Sequence, residues 1–185
     1  AILSAMRMGD TSDFTNFLGA VIDAKSYAKQ KSAIEAARSS ADAKVALGGE
    51  CDDREGFFVR PTVIEALNPR YTTMCEELFG PVLTIHVYAD AKWREALEQC
   101  ANGSEYALTG AFFAEDRAAT AEATTALRFA AGNFYLNDKP TGAVVGQQPF
   151  GGSRASGTND KAGSILNLLR WVSPRTIKET FAPPH

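Results

Sequence analysis

The sequence contains no run of lysine and arginine, and its formal net charge is −3. A nucleic-acid surface needs clustered positive charge to neutralise phosphates, so no nucleic-acid partner is expected. No stretch approaches the roughly 18 apolar residues that span a bilayer, so no membrane partner is expected either. The opening residues do not read as a signal peptide. Cysteine and histidine are scarce. Cys51, Cys75 and Cys100 lie far apart with no Cys-x-x-Cys pair, and neither His86 nor His185 stands at ligand spacing from another donor. This argues against a disulfide framework and against a metal site, and it reads as free structural thiols in a reducing compartment. A P-loop and the G-x-G-x-x-G dinucleotide fingerprint are absent, as are internal repeats and low-complexity tracts.

What remains is an ordinary globular composition: 185 residues, 45% hydrophobic and 22% charged. That suffices for one domain, or one and a piece of another, with a core that needs no staples. The chain opens on Ile2, Ala5 and Met6, spaced like the inner face of a helix already under way and with no capping residue before it. An upstream part is therefore expected. Asp23 is a candidate N-cap for a helix over about Ala24 to Arg38 with Tyr27, Ile34 and Ala37 inward. Lys44 to Leu47 reads as a strand stopped by Gly48 and Gly49. Phe57 to Ile64 is strand-like, but Pro61 inside it predicts an edge position or an irregularity.

From Pro81 the pattern is clearest. Val82 to Tyr88 reads as a strand and Ala91 to Ala101 as a helix with Trp93, Ala96, Leu97 and Cys100 on one face. Thr109 to Ala114 is a strand. A helix capped by Asp116 runs to about Ala130 and is ended by Gly132, and Asn133 to Asn137 is a strand. This alternation predicts βαβ units and a parallel sheet. Asp138 to Gly163 then has no periodicity and six glycines. Following the C-terminal end of a strand, it reads as an ordered binding loop. A short helix over Ser164 to Leu169 precedes an extended stretch, Trp171 to Phe181, with Ile177, Glu179 and Phe181 on one side. Pro174 marks an edge strand, whose partner could be another subunit.

Three segments carry a resemblance. Glu76-Glu77-Leu78-Phe79-Gly80-Pro81-Val82 resembles the E-E-x-F-G-P motif of aldehyde dehydrogenases and stands just before a strand. Pro149-Phe150-Gly151-Gly152, with Ser156-Gly157 following, and Gly132-Asn133-Phe134-Tyr135-Leu136-Asn137 are similar to two further motifs of that family, in the family's order. The run from Lys139 through Phe150 to Asp160 looks like the version of this loop found in the Δ1-pyrroline-5-carboxylate (L-glutamate γ-semialdehyde) dehydrogenases. Asn16 to Asp23 points the same way.

The resemblance implies an α/β fold: a three-layer βαβ arrangement with a mostly parallel sheet. Residues 1–170 would be part of an aldehyde dehydrogenase catalytic domain, and 171–185 a C-terminal oligomerisation strand and tail. It implies NAD as cofactor, L-glutamate γ-semialdehyde as small-molecule substrate, and a homo-oligomer, dimer or higher, in bacterial cytoplasm or mitochondrial matrix. By position, Glu77 matches the carboxylate that accepts hydrogen bonds from the nicotinamide ribose hydroxyls, a task suited to charge-assisted bonds. Phe79 matches the aromatic beside the nicotinamide. Gly142 and Ala143 match the loop whose N–H groups bind the substrate's α-carboxylate, since small residues let backbone approach an anion. Phe150 matches the aromatic wall of the substrate site. The family's nucleophilic cysteine, general base and most of its cofactor domain have no counterpart here, and Cys75 does not match the nucleophile's setting. No catalytic residue is expected in these residues, and alone they are expected neither to reduce NAD nor to bind it tightly. A dehydrogenase of another semialdehyde and a non-enzymatic assembly module are the alternatives.

Overall fold

The structure is a computed structural model that describes residues 2–144 and 146–182. Ala1, Val145 and the last three residues, among them His185, lie outside the described residues. The chain divides into two compact units, Ala1–Ser104 and Glu105–His185.

The first unit opens with one helical turn, α1 (Ile2–Ala5), and is organised by helix α2 (Ala24–Ser39). Asp23 caps α2 as expected: its backbone is extended, and its carboxylate accepts the Ser26 N–H at 2.7 Å. The inward face is Tyr27, Gln30, Ile34 and Ala37, the spacing of one side of a 3.6-residue period. Beneath it run β1 (Ala43–Leu47), the short antiparallel pair β2 (Cys51–Asp52) and β3 (Phe58–Val59), and then β4 (Thr62–Ala66). The single turn α3 (Thr72–Cys75) leads to β5 (Val82–Ile85). Strand order is β1-β4-β5, with β1 antiparallel and β5 parallel to β4. Tyr27 and Ile34 pack with Val59, and Ala37 packs with Ala43 and Ile64. Val45 and Val82 adjoin both clusters.

Pro61 produces the irregularity but not the edge. It falls in the break between β3 and β4, and β4 is the central strand of its sheet. The missing donor of proline thus lies outside the ladder, where it costs no rung. Gly48 and Gly49 end β1 with φ of 75° and 96°, and a Cβ on Gly48 would stand 2.2 Å from the Pro61 carbonyl oxygen. Strand β5 is shorter than expected. After Ile85 the His86 ring takes over, its Nδ1 2.8 Å from the Ala66 carbonyl, so a side chain rather than a further backbone rung ties the two strand ends. A 3-10 turn (Asp90–Lys92) enters helix α4 (Trp93–Asn102), which buries Ala96 and Leu97. Cys100, expected on that face, is exposed. It lies in the last turn, beyond the buried middle of the helix.

In the second unit, β7 (Thr109–Phe112), α5 (Arg117–Ala126) and β8 (Asn133–Leu136) form a βαβ unit, with β7 and β8 parallel. Asp116 caps α5, accepting the Ala118 N–H at 2.7 Å. The helix stops earlier than expected, in turns over residues 127–130. The glycine-rich segment is not wholly irregular: β9 (Ser153–Arg154) pairs antiparallel with β6 (Tyr106–Ala107). Helix α6 (Ile165–Leu169) follows Ser164. The expected run of parallel strands over residues 82–137 is realised as two parallel pairs, β4–β5 and β7–β8, in separate sheets. The α/β class stands, with mixed strand directions. The extended stretch after Trp171 forms no ladder among the described residues and leaves Ile177 and Phe181 exposed. A strand there needs a partner to supply the other half of its hydrogen bonds.

Ile34 is 1% exposed at the centre of the α2 face. Ile34→Ala is expected to lower the unfolding free energy by about 2–5 kcal/mol, the range for such cavities. Asp23→Ala is expected to cost about 1 kcal/mol through loss of its cap. Urea titration of both variants checks the order.

Candidate functional site

The expected site residues fall on two segments, one in each unit. Glu77 and Phe79 share the turn between α3 and β5. The turn is anchored at both ends: Glu76 N–H donates to the Thr72 carbonyl at 2.8 Å, and the Pro81 carbonyl accepts the Thr62 N–H at 2.9 Å. Between these anchors its carbonyls are held from α2. Lys29 Nζ donates to the Glu77 carbonyl, and Gln30 Nε2 donates to the Leu78 carbonyl at 2.6 Å. Phe79 is left-handed, with φ 57°, a conformation worth roughly 1–2 kcal/mol of strain for a residue with a Cβ. Phe79 is 85% exposed. The Glu77 carboxylate is exposed and makes no ion pair among the described residues. The turn thus presents a free carboxylate and an uncovered aromatic ring two residues apart.

Gly142, Ala143 and Phe150 belong to the loop after β8. Asn137 closes the strand pair before it: its side chain accepts the Ala114 N–H and donates to the Ala114 carbonyl, each at 2.8 Å, replacing a backbone rung. Gly142 is exposed with φ 105°, and Ala143 is half-buried. Space around Gly142 is open, the nearest neighbour of an added Cβ being Lys139 Cε at 3.9 Å, so backbone conformation rather than crowding favours glycine. Neither the Gly142 nor the Ala143 N–H is bound to a partner among the described residues.

Phe150 is held far more firmly. Its N–H and carbonyl both pair with Ala162, at 2.9 and 2.8 Å. Buried Asn133 grips the residues on either side, donating to the Pro149 carbonyl at 2.8 Å and accepting the Gly151 N–H at 3.1 Å. Lys161 Nζ donates to the carbonyls of Gly132 and Gly151, and its removal from water pushes the ammonium below the ordinary lysine range. Gly132 allows this approach: a Cβ there would lie 2.0 Å from the Gly151 carbonyl oxygen. Ser156 Oγ accepts the Ala107 N–H at 3.0 Å, completing the seat of the loop.

The sequence reading did not find Lys29, Gln30, Asn133 or Lys161. Two of them carried a signal. Gln30 is a polar residue on an otherwise apolar helical face, and Asn133 is a buried polar residue that opens a strand. The three cysteines are free. Burial pushes the Cys51 thiol above its ordinary range, partly offset by Lys31 and Arg38, and Cys75 is half-buried at the end of α3. A raised pKa is the opposite of what activates a thiol, so Cys51 does not have the arrangement of a nucleophile. Among the described residues no cluster of histidine, cysteine and carboxylate could hold a metal ion.

The aldehyde dehydrogenase family model matches residues 1–177, and the chain belongs to that family. It is 59% identical over 181 residues to the mitochondrial Δ1-pyrroline-5-carboxylate dehydrogenase of Dictyostelium discoideum, an alignment covering 98% of this chain and 32% of that protein. Identity to the Homo sapiens protein of the same name is 52%, over 97% of this chain and 32% of that protein. The crystal structure of the Mycobacterium tuberculosis Δ-pyrroline-5-carboxylate dehydrogenase superposes with a TM-score of 0.87 at 55% identity, covering 99% of this chain and 34% of that one. A structure of that protein bound with NAD gives 0.83 at 55% identity, over 98% and 33%. The chain thus spans about a third of the length of the relatives it matches.

Asn133→Ala is expected to strand the Pro149 carbonyl and the Gly151 N–H, at a cost of about 1–3 kcal/mol for groups left unpaired. Amide exchange at Gly151 should accelerate while exchange in α2 does not change, as read by hydrogen-exchange mass spectrometry. Unchanged exchange at Gly151 would contradict the clamp.

Proposed function

We propose that this chain forms the C-terminal part of an NAD-dependent dehydrogenase that oxidises L-glutamate γ-semialdehyde, in equilibrium with Δ1-pyrroline-5-carboxylate, to L-glutamate in proline catabolism. The observation that carries this is the identity of 52–59%, over nearly the whole chain, to proteins named for that activity. The compartment would follow the source, mitochondrial matrix or bacterial cytoplasm. Residues 1–170 would complete a catalytic domain, and 171–185 would serve assembly.

The turn fits the cofactor. Glu77 offers an unpaired carboxylate that can accept hydrogen bonds from both hydroxyls of a ribose, and Phe79 offers a bare ring for a flat heterocycle. Held there by Glu77 and Phe79, NAD would supply the hydride acceptor for the oxidation. Glu77 fixes the ribose and, with Phe79, limits the swing of the attached ring, so that transfer starts from one orientation. In the loop, the N–H groups of Gly142 and Ala143 have no partner among the described residues and would be available to an anion, with open space around Gly142. They suit the α-carboxylate that distinguishes this semialdehyde from neutral aldehydes. Phe150, fixed by Asn133 and Ala162, would line the aliphatic part of the substrate. The covalent steps, attack by a thiolate on the aldehyde carbon to give a thiohemiacetal and hydrolysis of the thioester left once that carbon has lost its hydride, would fall to residues outside this chain.

The full-length protein bearing this sequence is expected to form NADH from pyrroline-5-carboxylate. Glu77→Gln should raise the KM for NAD roughly 10- to 100-fold, the loss of charge-assisted bonds. Gly142→Val should raise the KM for the semialdehyde and leave that for NAD alone. If the substrate lacked the α-carboxylate, Gly142→Val would change neither constant, and an enzyme for another semialdehyde would be the better reading.

The exposed tail, with Trp171, Ile177 and Phe181 uncovered, suits a homo-oligomer contact. Removing residues 171–185 is expected to reduce the oligomer by light scattering. An unchanged mass per particle, apart from the deleted segment, would remove the tail from assembly.

A further inference from the structure

Gln30 is fully buried on the face of α2 that carries Tyr27, Ile34 and Ala37. An amide among such neighbours is tolerated only when it is hydrogen-bonded. Its Nε2 donates to the Leu78 carbonyl at 2.6 Å, while its Oε1 meets no partner. Turning the amide over would set oxygen against carbonyl oxygen, so the orientation follows from the contact. The buried polar group therefore serves a single bond, and that bond goes to the cofactor turn.

The same side chain is the floor under Gly80, where an added Cβ would lie 2.5 Å from Gln30 Cδ and Nε2. One position earlier on the helix, Lys29 Nζ holds the Glu77 carbonyl. Two consecutive helix residues thus fix two consecutive carbonyls of the turn. Immediately after them comes Phe79 at φ 57°, a conformation a non-glycine residue keeps only when its surroundings impose it.

We infer that Gln30 is a positioning residue for cofactor binding: its bond to the Leu78 carbonyl, with Gly80 seated on the amide, holds Phe79 in its left-handed conformation and so aims Glu77 and Phe79 at the nicotinamide riboside. The inference rests on the proposed role of the turn. Gln30 touches neither cofactor nor substrate; it acts through the backbone. Its loss loosens the binding of NAD and leaves the substrate loop untouched.

The test uses the full-length enzyme as wild type, Gln30→Leu and Gln30→Glu, with KM for NAD and for pyrroline-5-carboxylate measured across pH. Gln30→Leu removes the donor and is expected to raise the KM for NAD roughly 3- to 10-fold, the scale of one neutral hydrogen bond. The KM for the aldehyde should stay within about twofold, the scatter expected of a site not touched. Gln30→Glu keeps the shape but donates to the Leu78 carbonyl only when protonated. A glutamic acid titrates near 4.3 in water and higher when buried, so this variant should match wild type at about pH 5 and lose NAD affinity as pH rises to about 8. Lys29 and Lys31 on the helix and Glu76 and Glu77 on the turn are present in all three proteins, and wild type and Gln30→Leu, which bring no new charge, report the pH trend those groups cause by themselves. A residue that merely stabilised the fold would lower the melting temperature without splitting the two KM values and without a pH trend peculiar to Gln30→Glu. NAD KM values like wild type in both variants at every pH would overturn the inference while leaving the proposed function intact. A wild type inactive with pyrroline-5-carboxylate and NAD would overturn both.

Discussion

The burial of one face of α2 against a mixed sheet is the constraint on which the first unit depends. Tyr27, Ile34 and Ala37 exclude water from β3, β1 and β4, and only with that contact made do Lys29 and Gln30 arrive at the turn before β5. The helix is therefore both core and scaffold. The segment it steadies is short, irregular and carries a strained phenylalanine, which no local preference of the sequence would hold in place. A site on such a turn gains its precision from the regular element behind it.

The second unit solves the same problem with different side chains. Phe150 is fixed because Asn133, at the start of a strand, and Lys161, from the far end of the loop, saturate the carbonyls and N–H groups around it. The N–H groups of residues 142–143, by contrast, have no partner among the described residues. The proposed recognition of an anionic substrate would draw on this contrast, a fixed wall beside donors not already satisfied by the protein.

Much of this was legible in the sequence, for definite reasons. Helix α2, its Asp23 cap and its inward residues follow from a 3.6-residue period and a capping side chain, both local. The β7–α5–β8 unit follows from the change of period between 2 and 3.6. Two-residue strands such as β6 and β9 leave no periodicity, so the pairing of Ser153–Arg154 inside a glycine-rich run could not be read. Pro61 announced a break but not that the strand after it would be central. Which strands share a sheet is set by tertiary packing, and the alternation of residues 82–137 did not encode it. Glu77, Phe79, Gly142, Ala143 and Phe150 stood out only through resemblance, since alone each is an ordinary turn or loop residue. Gln30 and Asn133 were in view but silent, because a polar residue on an apolar pattern reads as noise until its partner is known.

The central claim is that the turn at Glu77–Phe79 is the platform for the nicotinamide ribose. A structure of the full-length protein with NAD tests it most directly. The account predicts the Glu77 carboxylate within about 2.5–3.0 Å of the ribose hydroxyls, the range of an O–H···O bond, with Phe79 still left-handed and the Gln30–Leu78 bond intact. A ribose bound elsewhere, with Glu77 turned to solvent, would contradict it.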